Sequence, residues 1–235
     1  MKPITDRLTP TVKWILIADV VIFLFYVVVR ESRAFMQTHL ALGPRFFAGE
    51  LWQPLSSLFV HIDPLGFVLT MVGFWFIGGH MERTQGRRRF ATLFFGAGVL
   101  ANLAIAGTYR LLGAGPIPFT DGCFLAVTAL FVAFGRLFGR QSAQFWPFPI
   151  AVQARYLVLI LVGFQAIASL SRSDWPALAG LAVAVLVGFF GAAPGGLTSI
   201  RTALAQARDI ARARRLRRRF GVIEGGERRP KKYVN

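Results

Sequence analysis

Apolar positions in this chain gather into six runs, residues 14–29, 65–79, 90–109, 119–138, 156–170 and 175–190, followed by a strongly basic tail. Each run is filled with Phe, Leu, Ile, Val, Ala and Gly and is bounded by Arg, Pro, Trp or Tyr, the residues that anchor a helix at the two membrane interfaces. The pattern predicts an all-α polytopic membrane protein with six transmembrane helices. The second run covers about 22 Å at 1.5 Å per residue, so it spans only by thinning the bilayer or by recruiting its flanks. Between the first two runs, residues 31–53 mix Arg33, His39, Arg45 and Glu50 with Phe35, Phe46, Phe47 and Trp52. That stretch is too polar to span and too apolar to float free, and it reads as a hairpin lying in the headgroups.

Composition supports a membrane protein and narrows the chemistry. The chain has 235 residues, of which 54% are hydrophobic, with 23 Phe and a mean hydropathy of +0.53, outside the range of ordinary soluble domains. One cysteine, Cys123, excludes an internal disulfide and a thiolate metal cluster. It sits in an apolar run and reads as an inert buried thiol. No metal or cofactor site is expected. The first run lacks a small-residue cleavage pattern and reads as an uncleaved helix rather than a signal peptide.

Charge fixes the expected orientation. Lys2, Arg7, Lys13, Arg83, Arg87, Arg88, Arg89, Arg136, Arg140 and the tail fall on one side of a six-span layout. By the positive-inside rule both termini are cytoplasmic, as in a bacterial inner-membrane protein. The expected domains are a cytoplasmic N-terminus (1–13), a membrane domain (14–192) and a basic tail (193–235), helical to about residue 220 and disordered beyond. Between Arg201 and Lys232 the tail carries twelve Lys/Arg against three acids, so nine of the net +16 charges lie there. Arg212, Arg214, Arg215, Arg217, Arg218 and Arg219 are the expected contacts to anionic lipid, at about 1 kcal/mol per nearby cation. The tail also offers a docking segment for a membrane protease or another cytoplasmic partner. Nucleic acid is disfavoured, because nothing beyond charge supports it.

Small residues spaced through the runs let helices approach closely in lipid. Gly122 and Ala126 are expected to face Gly180 and Ala184. Asp19 is expected as a packing or capping carboxyl near the cytoplasmic interface, Asp121 as the N-cap of the fourth helix, and His61 and Asp63 as caps or interfacial polar groups. Glu82 is expected to pair with Arg83 and Arg87.

Two motifs carry a family resemblance. Residues 49–61, GELWQPLSSLFVH, resemble the "G-E-x-W-R-x-x-T-x-x-F-x-H" approach to the second helix of rhomboid intramembrane serine proteases, and residues 78–86, GGHMERTQG, resemble the "G-x-x-x-E-x-x-x-G" exit from it. The resemblance implies a six-helix rhomboid-like bundle, with the loop after the first helix buried sideways in the outer leaflet. It also implies where catalysis would reside: a serine in G-x-S-G on the fourth helix, a histidine on the sixth, and an H-x-x-x-N pair on the second. This chain departs at each, with Asp121 at the serine position, Ala177 at the histidine position, and Gly66 and Thr70 on the second helix. No histidine follows His80.

A weak hydroxyl nucleophile needs a positioned base, and a lone carboxylate is a poor substitute for an acid–base pair. The reading is therefore a catalytically degenerate pseudo-rhomboid. It binds transmembrane clients as an adaptor or quality-control factor, through Asp121, Trp52 and His61. The alternatives are an active serine endopeptidase with relocated groups, with Ser56 or Ser57 beside His61, and a small transporter or ion pathway using Asp19, His61, Glu82 and Asp121.

Overall fold

The first helix starts earlier than its apolar run. In the computed structural model, which describes residues 8–113, 119–120, 122–140, 142–144 and 151–193, α1 spans Pro10–Val28 with proline in its first turn. Starting at Pro10 places Asp19 at the middle of the helix rather than near its cytoplasmic end, and the side chain is fully buried. Thr9 gives α1 no side-chain cap. The cap comes from Glu82 at the far end of α4 (Pro64–Gln85). One Glu82 oxygen accepts from Thr11 N (3.2 Å) and Thr11 Oγ1 (2.5 Å), and the other accepts from Val12 N (3.1 Å). A carboxylate there satisfies orphan N–H groups and meets the positive end of the helix dipole. Glu82 is thus a tertiary helix cap for α1, a role its neighbours Arg83 and Arg87 in the sequence did not suggest.

After Val29 the chain turns into α2 (Arg30–His39), then a 3-10 turn over Pro44–Ala48, short α3 (Gln53–Ser56) and a second 3-10 turn over Ser57–Phe59. The expected hairpin is therefore a helix followed by turns. Gln53, completely buried, ties it together. Its Oε1 accepts from Gly43 N (2.9 Å), and its Nε2 donates to Thr38 O (3.1 Å) and Glu50 Oε2 (2.8 Å). Glu50 also meets His39 Nδ1 at 2.8 Å and Arg45 Nη1 at 3.3 Å. Burial pushes the Glu50 pKa up, but the hydrogen bonds from His39, Arg45 and Gln53 outweigh it and hold the carboxyl below its usual value. In this structure the Gly49–Gln53 motif staples the loop.

Asp63 caps α4 as expected, its two oxygens accepting from Leu65 N and Gly66 N. At 22 residues, α4 extends about 33 Å at 1.5 Å per residue, so with its flanks included the helix is long enough to cross a membrane. α5 (Arg87–Leu112) follows, then α6 (Phe124–Phe138), α7 (Ala154–Ser171) and α8 (Trp175–Gly191). α6 begins five residues later than the hydropathy pattern predicts, and its N-cap position is Cys123, without a side-chain cap. Asp121 lies outside the described residues. A small antiparallel pair, β1 (Ser142–Gln144) and β2 (Ala151–Gln153), joins α6 to α7.

Among the described residues, α1, α4, α5 and α7 are long and apolar enough to cross a membrane, while α6 and α8 are shorter apolar helices. The hydrophobic core lies between α1, α4, α5 and α6, around Phe74, Phe90, Phe94 and Leu130. α8 packs against α5 and α6. There Ala97, Ala101, Ala129 and Ala184 form one small-residue cluster, and a Cβ on Gly188 would collide with the Ala129 backbone. Ala129 with Gly188 and Ala184 thus makes the close approach, where the sequence pointed to Gly122 and Gly180. Gly122 packs on His61 instead, and Gly180 on Ile105 and Leu125. The carbonyls ending α8 accept hydrogen bonds from Arg89 of α5 and Arg136 of α6, cations that complement the negative helix end.

The described residues all belong to one compact unit, Met1–Gly196. The basic tail, with Arg212, Arg214, Arg215, Arg217, Arg218 and Arg219, lies outside the described residues.

Candidate functional site

A cavity of about 290 Å³ opens between α5, α6, α7 and α8. Gly122 and Phe124 line it at the start of α6, Asn102 and Ile105 from α5, Gln165 from α7, and Ala177 from α8. The folded chain therefore brings Ala177 and the residues flanking position 121 to one concave site, although the sequence separates them by more than fifty positions.

The turn ahead of α6 is pinned from outside the helix. Thr120 exchanges backbone hydrogen bonds with Leu42 (Leu42 N→Thr120 O, 3.0 Å; Thr120 N→Leu42 O, 2.9 Å), and Gly122 N donates to Ser57 O at 2.8 Å. Gly122 has φ +80°, a conformation glycine adopts without strain. Ser57 is fixed in turn by Asn102, whose Nδ2 donates to Ser57 Oγ (2.9 Å) and to Pro54 O (3.0 Å). α7 is the least buried of the long helices, with Leu159, Ile160, Phe164 and Ile167 facing outward. Its polar tie to the core is Gln165, which donates to Thr128 Oγ1 at 3.0 Å and accepts from it at 3.3 Å.

The residues singled out in the sequence do not all converge here. Gly66 is the second residue of the α4 amide pair that Asp63 caps, and Thr70 is buried in α4. Trp52 is half exposed and donates from Nε1 to His39 O at 2.9 Å, which ties the loop to the end of α2. His61 is buried and does not line the cavity. Its Nε2 accepts from Cys123 N at 3.4 Å, and its Nδ1 faces Asp19 Oδ1 at 3.9 Å. Ser56 Oγ donates to Leu40 O at 2.7 Å. Neither Ser56 nor Ser57 is hydrogen-bonded to His61, so the relocated Ser–His pair is not assembled.

Cys123 Sγ lies 3.9 Å from His61 Nε2, a Cys–His–Asp order in space. The thiol is nevertheless fully buried in the core, where a cysteine is inert for want of access and of a stabilised thiolate. The two ring nitrogens of His61 face different partners, so Asp19, His61 and Cys123 do not converge on one metal position. Among the described residues no group of three metal-ligating side chains occurs.

Sequence reasoning missed Asn102, Gln165 and Thr128. The signal was available, because polar side chains within apolar spans mark interhelical contacts or sites. What was missing was the partner of each.

A bundle of apolar helices packed through small residues, with a largely apolar cavity carrying a few polar groups open between four of them, defines a polytopic helical membrane protein. Its family follows from comparison: the Rhomboid domain model matches residues 48–194, more than half of the chain, and the chain belongs to the rhomboid family. It is 25% identical over 195 residues to the rhomboid protease GluP of Bacillus subtilis (strain 168), covering 80% of this chain and 35% of that protein. It is 26% identical over 98 residues to rhomboid-like protease 3 of Toxoplasma gondii, covering 40% of this chain and 37% of that one. The chain thus spans little more than a third of the length of these relatives.

Proposed function

We propose that this chain uses the rhomboid fold to hold transmembrane segments of other proteins, as an adaptor or quality-control factor, without hydrolysing them. The observation that carries the reading is the cavity itself. Ala177 lines it where the family's base would project, Gly122 flanks the aspartate at the nucleophile position, and the chain's three histidines all precede α5. Acyl transfer by a hydroxyl needs a base within hydrogen-bond reach, and none of the cavity-lining side chains is a histidine. Asn102, Gln165, Ser169, Arg172 and Asp174 place a few polar groups in a largely apolar cavity, which suits a client helix that carries isolated polar residues. Asp121 and Trp52 are the proposed contacts on the client's path; His61, buried away from the cavity, acts behind them. In this reading both termini are cytoplasmic, in keeping with the positive-inside rule, and the tail arginines meet anionic lipid of an inner membrane.

The second reading is an active intramembrane serine endopeptidase. What favours it is that both relatives named above are proteases. A third, a small transporter, rests on Asp19, His61 and Glu82, and the last of these is fully engaged in capping α1. Labelling with a serine-reactive fluorophosphonate in native membranes, beside an active rhomboid, separates the first two. We expect no adduct while the control labels. A mapped adduct on one serine, lost on heating, establishes the protease reading instead.

A further inference from the structure

α1 carries one acid at its midpoint, Asp19, and buries it completely. An isolated carboxylate is too costly to hold in such surroundings unless it is paired or protonated. Few groups face it. From the segment before α4 comes His61, with Nδ1 3.9 Å from Asp19 Oδ1. From the turn before α6 comes Cys123, on the far side of the same ring. α1 and α4 present aromatic walls, Phe23 stacked on Phe67 at 4.0 Å, with Phe67 edge-on to the imidazole at 5.1 Å. The Phe59 carbonyl also lies close to the imidazole without completing a hydrogen bond to Nδ1. Asp63, two residues on, is turned to the α4 N-terminus.

Nε2 of His61 accepts the Cys123 N–H, so it carries no proton, and the neutral ring bears its proton on Nδ1, towards Asp19. The 3.9 Å gap is too long for a direct hydrogen bond. Nδ1 and both Asp19 oxygens have no hydrogen-bond partner. Three buried polar atoms around one gap are the partner set of a small bridging ligand such as water.

We propose that Asp19 and His61 form a buried proton-binding site whose occupancy sets how firmly the turn ahead of α6 is held. With the proton bound, Asp19 is a neutral carboxylic acid, the pair carries no net charge, and the ring stays on Cys123 N–H. On deprotonation the proton leaves to water and the O–H bond electrons stay on Asp19. The carboxylate then draws Nδ1–H into a charge-assisted hydrogen bond of about 2.8 Å. That movement of about 1 Å takes Nε2 beyond hydrogen-bond reach of Cys123 N. It also carries the ring off Gly122, where a Cβ would lie only 3.0 Å from it. Because Gly122 lines the cavity, the cavity rim loosens with it.

The chain supplies its own reporter, since Cys123 is its single cysteine. The full chain in liposomes is titrated from about pH 5 to pH 10, following the infrared carbonyl band of a protonated carboxylic acid and the rate of Cys123 labelling by an uncharged maleimide. Dividing the wild-type rate by that of Asp19→Asn at each pH removes the thiolate dependence the two proteins share, and the negative charge of an ionised Asp19 disfavours the thiolate and so works against a rise in the ratio. We expect an acid band absent in Asp19→Asn, and a rate ratio that rises about tenfold, the effect of losing one hydrogen bond, as the band disappears. If Asp19→Asn fails to insert, His61→Gln replaces it as divisor: it keeps an acceptor for Cys123 N–H, and its labelling does not follow the band. No Asp19-dependent acid band, or a flat ratio while the band disappears, overturns the proposal.

Discussion

Asn102 and Ser57 are joined side chain to side chain at 2.9 Å, and the Ser57 carbonyl takes the Gly122 N–H at 2.8 Å. Through these two bonds α5 holds the loop, and the loop holds the turn at the candidate site. Both residues are buried, so neither finds a replacement partner when the other is removed. Asn102→Leu strands Ser57 Oγ and Pro54 O, and a buried polar group left unpaired costs about 1–3 kcal/mol. The expected outcome is a lower melting temperature in detergent. A melting temperature equal to wild type removes Asn102 from this role.

Glu82→Gln retains acceptor geometry for Thr11 but loses the charge facing the α1 N-terminus, and Glu82→Ala loses both. Helix caps are worth about 0.5–2 kcal/mol. The expected order of stability is wild type, then Gln, then Ala, with protease sensitivity rising first at the α1 N-terminus. Equal stability of the two variants would mean that charge, not hydrogen bonding, carries the effect.

Gly188→Val places a branched side chain against the Ala129 backbone. A backbone atom cannot rotate away as a flexible side chain can, and overpacking costs about 1–3 kcal/mol or more. We expect poor accumulation of this variant in membranes, whereas Gly96→Ala, with open space around a Cβ, accumulates normally.

Gln165→Leu removes the polar tie between α7 and α6. Interhelical hydrogen bonds in membranes average about 0.6 kcal/mol, so the fold survives. Motion of α7 is expected to increase, read as a changed rate of disulfide trapping between cysteines placed on α6 and α7 in a Cys123→Ala background. An unchanged trapping rate shows that apolar packing alone seats α7.

Glu50 gives a pH dependence. Its carboxyl is held below the usual range by His39, Arg45 and Gln53, so the loop gains stability that is fully present above the unfolded carboxylate pKa, about 4. That stability is lost as pH falls through the folded value. Melting temperatures of wild type and Glu50→Gln should therefore differ at neutral pH and converge in acid. Parallel curves across that range would assign Glu50 no charged role.

The apolar runs, the Arg-rich boundaries and the two motifs determined the helical membrane class and the rhomboid resemblance. Hydropathy reports helix burial in lipid directly, and capping residues such as Asp63 act within a turn of their own position. Long-range pairing was not legible. Glu82 reads locally as a neighbour of Arg83, yet its partner is a helix terminus seventy residues away; Asp19 reads as an interfacial carboxyl, yet it faces His61 across the core. The beginning of α6 was misplaced because the apolar run was read from Phe119 across Thr120 and Gly122, whereas Leu42 and Ser57 take the backbone hydrogen bonds of Thr120 and Gly122 ahead of the helix. Small residues showed that helices approach closely, but Gly188 meets Ala129 only because α8 packs against both α5 and α6. The sequence by itself thus determined which segments leave water, since that is a property of single residues and their neighbours. Only the tertiary structure decided which buried polar groups meet, because in lipid each must find its partner on another segment.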